Sequence, residues 1–147
     1  MYKQILCPVD GSDTSNCGMT EAINLAKAIQ AKVRFLYIVD TFHPMLDGME
    51  VGNMTEIIDG LREHGKAMLA QTKLSALAQG VEADTVILEN DLNRVSTIIV
   101  THAKECHADL ILMGTHGRRG LSHLLMGSDA EAVIRTSPVP VLTVQLT

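Results

Sequence analysis

The sequence predicts an open, doubly wound α/β fold, and three observations carry that prediction. Short apolar runs alternate along the whole chain with stripes of apolar residues at three- and four-residue spacing, the pattern of strands separated by amphipathic helices. The runs are nearly continuous, as in Ile5-Leu6-Cys7-Pro8-Val9 and Leu110-Ile111-Leu112-Met113, which marks strands covered on both faces, hence a parallel sheet between two helical layers. Right-handed crossovers leave few topologies for such a chain, and the open sheet is the commonest. The length of 147 residues suits one domain, residues 1–147, with a core large enough to fold without staples.

The elements follow in order. Ile5 to Val9 is a buried strand that ends in the turn Asp10-Gly11-Ser12. Met19, Ala22, Ile23, Ala26 and Ile29 form the stripe of a first helix, with Ser12, Asp13 or Thr14 as its cap. Val33 to Val39 is the second strand, and Arg34 is its one charge. Residues 41 to 54 hold Pro44, Gly48 and Gly52 without a period and read as a loop. Ile58, Leu61, Met68, Leu69 and Ala76 mark a long helix from Thr55 to about Gln79, interrupted by two weak formers, Gly60 and Gly65, and stopped by Gly80. Thr85 to Leu88 is the third strand. Val95, Ile98, Ile99, Ala103 and Cys106 stripe the third helix, with Asn90, Asp91 or Asn93 as cap. Leu110 to Met113 is strand four, Ser128 to about Ser137 a last helix, and Val139 to Leu146 a last strand. Pro140 cannot donate to a ladder and puts that strand at an edge. An apolar edge (Val139, Val141, Leu142, Val144) needs a cover, and a homodimer through Val139 to Val144 is the simplest one.

Composition removes several classes. With a net charge of -5 and no Trp, the chain lacks the basic face and the stacking aromatics of a nucleic-acid binder. No apolar run approaches the roughly 20 residues of a membrane span, and the first residues do not read as a signal peptide. Cys7, Cys17 and Cys106 make an odd, scattered set with no CxxC pair, which reads as reduced, mostly buried thiols in the cytoplasm rather than disulfides or zinc ligands. His102 and His107 are five residues apart, a poor spacing for sharing a helix face, so no metal site is expected there. His43 and His64 read as surface residues, and Met19, Met54, Met68 and Met113 as core filler.

Chemistry concentrates in the connection from Gly114 to Ser128. It is longer than an ordinary strand-to-helix loop and carries Gly114, Gly117, Gly120 and Gly127. Glycines let a ligand approach the main chain closely, and Gly127-Ser128 opens a helix, whose first amides and dipole favour an anion. No acidic residue lies between Asp109 and Asp129, whereas His116, Arg118, Arg119 and His123 do. In an acidic protein that is a local cationic island suited to phosphate. Ser128 and Glu131 also fit a capping box, a use of the helix start compatible with a bound phosphate.

The spacing Gly114, two residues, Gly117, nine residues, Gly127, Ser128 resembles the ATP-binding signature of the universal stress protein family at every defined position. Ile5 to Ser12 resembles that family's first strand and acidic turn, Ala108 to Gly114 its fourth strand, and Ser137-Pro138-Val139-Pro140-Val141-Leu142 its closing strand. Glu89-Asn90-Asp91 departs from it, since the family often has Gly-Xaa-Pro after strand three. The resemblance implies a five-stranded sheet in the order 3-2-1-4-5, of the adenine nucleotide alpha hydrolase-like type. It implies that Asp10 accepts hydrogen bonds from ribose hydroxyls, that Pro8 and Val9 lie beside the adenine, and that Ile38 offers its backbone to the adenine edge. Met113 and Gly114 would line ribose and base. Gly117, Gly127 and Ser128, with the amides that follow them such as that of Asp129, would hold the phosphates beside His116 and Arg118. The crevice where strand order reverses is also where open α/β sheets bind ligands.

The implied ligand is ATP, or AMP or ADP, with Mg²⁺ carried by the phosphates, and the implied role is a nucleotide-dependent regulatory or stress-response module with a protein partner. A slow ATP hydrolase is one alternative. The sequence has no GxxxxGK[ST] lysine and no clear acidic pair for two metals, so hydrolysis should be slow. A nucleotide-free interaction protein of the same fold is the other, and the retained glycine spacing argues against it. A phosphoacceptor receiver domain is rejected because Asp10 has no acidic partner and the last strand no lysine.

Overall fold

In a computed structural model, residues 1–41, 51–116 and 126–146 are described here, with main chain alone at 51 and 52. Strand β1 spans Gln4–Pro8, helix α1 Asp13–Ile29, strand β2 Lys32–Val39, helix α2 Val51–Ala78 and strand β3 Ala83–Glu89. Helix α3 (Val95–Glu105), strand β4 (Leu110–Gly114), helix α4 (Ser128–Thr136) and strand β5 (Val141–Val144) complete the alternation. The strands pair in parallel in the order β3-β2-β1-β4-β5, so the predicted fold class and strand order are those observed. Strand β5 lies at an edge, and Pro140, just before it, uses its carbonyl to accept from the N–H of Ile111 at 3.0 Å.

Alternation along the strands sorts the core into two layers. Ile5, Cys7, Phe35, Tyr37, Leu110 and Leu112 face Ala22, Ile23 and Ala26 of α1 and Leu69 and Ala76 of α2. Leu6, Leu36, Ile38, Ile111 and Met113 face Ile99, Val100 and Ala103 of α3 and Ala130 and Val133 of α4. Both faces of the central strands are therefore dry, which is why their sequence reads as continuous apolar runs. All three cysteines are free thiols. Cys7 is buried, and burial pushes its pKa up to about 12, while Cys17 and Cys106 are half-buried.

Several boundaries differ from expectation for local reasons. Helix α2 begins at Val51, so 51–54 are helical, and residues 42–50 of the expected loop, with His43, lie outside the described residues. Neither Gly60 nor Gly65 interrupts it. Gly60 is exposed, and Gly65 lies against the ring of Tyr37, so close that a Cβ there would meet Cε1 at 2.6 Å. Helix α2 lies flat on β2 only because residue 65 has no side chain. Helix α1 is capped by Ser12, whose side chain accepts from the N–H of Ser15 at 3.2 Å. The cap of α3 is a correction: Arg94 occupies that position with no side-chain bond, while Asn90, an expected candidate, is engaged elsewhere. The capping box at 128–131 is a second correction. Gly127 is the N-cap of α4, no side chain caps it, and Glu131 pairs with Arg135 at 2.7 Å instead.

Candidate functional site

Order reverses between β1 and β4: from β1 the chain winds towards β2 and β3, and from β4 towards β5. The carboxyl ends of these two strands therefore flank the natural crevice of the sheet. Pro8 contributes to opening it. The N–H of Val9 bonds the carbonyl of Leu36 on β2 at 2.8 Å, and the carbonyl of Gln4 accepts from Asp109 on the β4 side at 3.0 Å. Even-numbered residues of β1 thus present their main chain to β4. Pro8 is one of them and has no N–H to give. The β1–β4 register stops accordingly at Leu6 with Ile111, although β4 continues to Gly114.

Beyond Pro8 the chain curls tightly into α1. Its half-buried Asp10 accepts from the N–H of Ser12 at 2.9 Å, and its own N–H donates to Ser15 Oγ at 2.9 Å. Gly11, at φ 85°, completes the turn. This brings the first turn of α1 onto the end of β4. A Cβ on Gly114 would lie 2.7 Å from both C and O of Thr14, so glycine is required here by packing between two chain segments. Thr14 Oγ1 also donates to the carbonyl of His116. The His116 ring lies 2.9 Å, through Nδ1, from Thr115 Oγ1.

Thr115 anchors the loop that follows. It is buried, its N–H donates to Val144 on β5 at 2.9 Å, and its carbonyl accepts from the N–H of Gly127 at 2.7 Å. That last bond closes the connection at its neck and sets the start of α4 beside the end of β4. Ser128 and Asp129 lie in the first turn of α4, where the leading N–H groups of a helix have no intrahelical acceptor and carry its positive dipole end. Gly117 and Arg118, with Arg119, Gly120 and His123, lie outside the described residues.

The third side of the crevice is β2. Leu36 presents its carbonyl to β1, whereas Val33 donates to Glu82 at 3.0 Å and Val39 accepts from Asn90 at 3.3 Å on the β3 side. By this alternation the N–H and C=O of Ile38 face the β1 side, at a level where β1 has already ended. The Ile38 side chain is buried in the layer under α3 and α4.

Three residue sets have roles here that the sequence reading did not give them, although Thr14 and Asn90 were cap candidates. Thr14 and Ser15 tie the α1 turn to Asp10 and His116, and Thr115 closes the loop. Asn90, 1% exposed, bridges strands: Oδ1 accepts from Thr41 N–H at 2.9 Å and Thr41 Oγ1 at 3.1 Å, and Nδ2 donates to Asp40 at 2.8 Å. Its neighbour Glu89 is held by Arg62 of α2, whose guanidinium keeps that carboxyl below the usual carboxylate range. Among the described residues, no three His, Cys, Asp or Glu side chains cluster as metal ligands. Nor is any helix there long and apolar enough to cross a membrane.

Comparison with known proteins bears on this geometry. The model of the universal stress protein family matches residues 1–145. This chain belongs to the universal stress protein family. Universal stress protein MJ0531 of Methanocaldococcus jannaschii is 39% identical over 145 residues, 99% of this chain and 83% of that one. The solved structure of universal stress protein UspA from Lactobacillus plantarum is 29% identical with a TM-score of 0.83, covering 98% of both chains. A universal stress protein crystallised in complex with cAMP is 26% identical with a TM-score of 0.68, covering 98% of this chain and 97% of that one.

Proposed function

We propose that this universal stress protein binds ATP in the crevice between β1 and β4 and acts as a cytoplasmic regulatory module, residues 1–147 forming one domain. The observation that carries the reading is the convergence, at the switch point, of Asp10, the freed end of β2 and the start of α4. Asp10 accepts from the ribose hydroxyls. Pro8, Val9, Met113 and Gly114 flank base and sugar. The N–H of Ile38 meets adenine N1 and its carbonyl the 6-amino group, so the base continues the ladder that β1 abandons. The phosphates lie on the amides of Gly117, Gly127, Ser128 and Asp129, beside His116 and Arg118, with Mg²⁺ carried on the phosphates. A relative with this fold in complex with cAMP supports an adenine nucleotide as the ligand class.

The site holds nucleotide rather than consuming it, because the chain supplies no phosphate-loop lysine and no paired acids for two metals. The bound state is read through a partner protein and a second copy of the chain paired along β5. Edge position supports that pairing, as do the exposed Leu142 and Leu146. Isothermal titration with ATP, and with inorganic tripolyphosphate, tests the site. Saturable ATP binding is expected, with stabilisation of ~2.7 kcal/mol at about a hundredfold excess over Kd. Asp10→Ala should weaken ATP about tenfold or more, one charged hydrogen-bond acceptor's worth, and leave tripolyphosphate unchanged. No heat and no thermal shift at millimolar ATP sinks the reading, and turnover above roughly 1 per second sinks the holding role.

A further inference from the structure

The residues of the turn after β3, Glu89, Asn90 and Asp91, are engaged on two sides. Glu89 bonds Arg62 of α2. Asn90 is buried and makes three side-chain bonds, to Asp40, to the N–H of Thr41 and to the hydroxyl of Thr41. The Asn90 N–H adds a main-chain bond to Val39, and Thr41 Oγ1 reaches the carbonyl of Asp91 at 3.1 Å. The turn is closed by the N–H of Asn93 on the carbonyl of Asn90 at 2.7 Å, with Asp91 left-handed at φ 51°. The turn thus holds Asp40 and Thr41, the residues that follow β2, from the β3 side.

That grip matters for what lies on the opposite side. Ile38 is one residue before Val39 and two before Asp40, and its main-chain N–H and C=O face the space β1 has vacated. A strand end without a ladder partner on one side frays unless something fixes it, and hydrogen-bond discrimination requires fixed donors and acceptors. Adenine presents an acceptor, N1, beside a donor, the 6-amino group; guanine presents the reverse, a donor at N1 and an acceptor at O6. A mobile N–H and C=O pair accommodates both orders, and a rigid one selects.

We infer that Asn90, by clamping Asp40 and Thr41, is a positioning residue that fixes the Ile38 main chain for adenine and sets the preference for ATP over GTP. This rests on the ATP-binding reading. Its chemistry suits the task, because a carboxamide sets an oxygen that accepts twice beside a separate NH2 that donates to a carboxylate.

The test measures Kd for ATP, GTP and tripolyphosphate by titration in the wild type, Asn90→Ala, Asn90→Asp and the exchanged pair Asp40→Asn with Asn90→Asp. Asn90→Ala is expected to lose about tenfold for ATP, the scale of one hydrogen bond, with the ATP-to-GTP ratio moving towards one and tripolyphosphate unchanged. Asn90→Asp sets two carboxylates face to face and should lose as much. The exchange restores the donor–acceptor pair and should recover the ratio, a result available even where Asn90→Ala does not fold. Overturning results are an unchanged ATP-to-GTP ratio in a folded Asn90→Ala or Asn90→Asp, equal loss for all three ligands, or failure of the exchange to recover the ratio. A wild type that binds tripolyphosphate but does not prefer ATP also overturns it. A wild type that binds none of the three defeats the nucleotide reading itself, which separates the two failures.

Discussion

In the body of helix α2, Gly60 and Gly65 are glycines that the sequence cannot tell apart and the structure can. Replacing either by alanine removes the backbone-entropy penalty of glycine in a helix, a gain of up to ~1 kcal/mol. At Gly60 nothing lies within 4 Å of the new Cβ, so the gain stands alone and the protein should be stabilised by roughly 0.5–1 kcal/mol, ~1–4 °C in Tm. At Gly65 the same Cβ would sit 2.6 Å from Tyr37 Cε1 and 3.0 Å from Cγ. The ring has nowhere to go: Tyr37 is fully buried on a strand paired on both sides, and His64 stands edge-on to it with centroids 6.2 Å apart. Overpacking of this kind costs ~1–3 kcal/mol, so after the propensity gain Gly65→Ala should destabilise by up to about 2 kcal/mol. Urea unfolding of the two variants beside the wild type, with equal m-values, measures both. A Gly65→Ala variant as stable as the wild type, or a Gly60→Ala variant that loses as much as Gly65→Ala, would refute tight packing of residue 65 on Tyr37.

Two further expectations concern the thiol in the core and the sheet edge. The folded pKa of Cys7 is raised by burial from 9.0 to about 12, so its contribution is intact below about pH 9 and is lost as pH rises towards 12. Over that window it should remove up to ~1.4 kcal/mol of stability per pH unit. Urea midpoints at pH 8 and pH 10 should show a steeper loss in the wild type than in Cys7→Val, and parallel losses would defeat the assignment. At the edge, Leu142→Lys should convert a dimer to a monomer in light scattering coupled to gel filtration; a wild type already monomeric at tens of micromolar would remove the pairing along β5.

The fold was legible because its rules are local and periodic. Runs such as Leu110 to Met113 need only two apolar faces to be recognised, and the register of side chains into two layers follows from alternation alone. Element ends were less legible. Helix α2 starts at Val51, four residues before the expected Thr55, and the N-cap of α4 is one residue before the serine that a capping pattern selects. Ser128 satisfies the sequence rule of a capping box, but a cap is defined by backbone dihedrals and not by residue type. For the proposed site, Asp10 was picked out by the family resemblance and by its place after β1, beside the point where strand order reverses. Asn90 was not: its three partners lie fifty and forty-nine positions away in sequence at Asp40 and Thr41, and nothing local marks a side chain that reaches across a sheet.

A motif glycine does not say which neighbour excludes a side chain, and this decides how the site should be probed. Gly114 and Gly127 both invite the explanation that ligand approaches the main chain there. Yet a Cβ on Gly114 would meet Thr14, and one on Gly127 would lie 2.9 Å from the carbonyl of Thr115, the same carbonyl that accepts the Gly127 N–H. Both positions are glycine for the protein's own packing, whatever binds beside them. A β-branched residue at 127 would therefore break the neck of the loop as well as any phosphate contact, and lost binding in that variant would not identify the cause. Asp10 separates the two better. Asp10→Asn keeps an oxygen for the N–H of Ser12 while removing the charge, so the turn into α1 survives and a change in nucleotide affinity reports on the ligand.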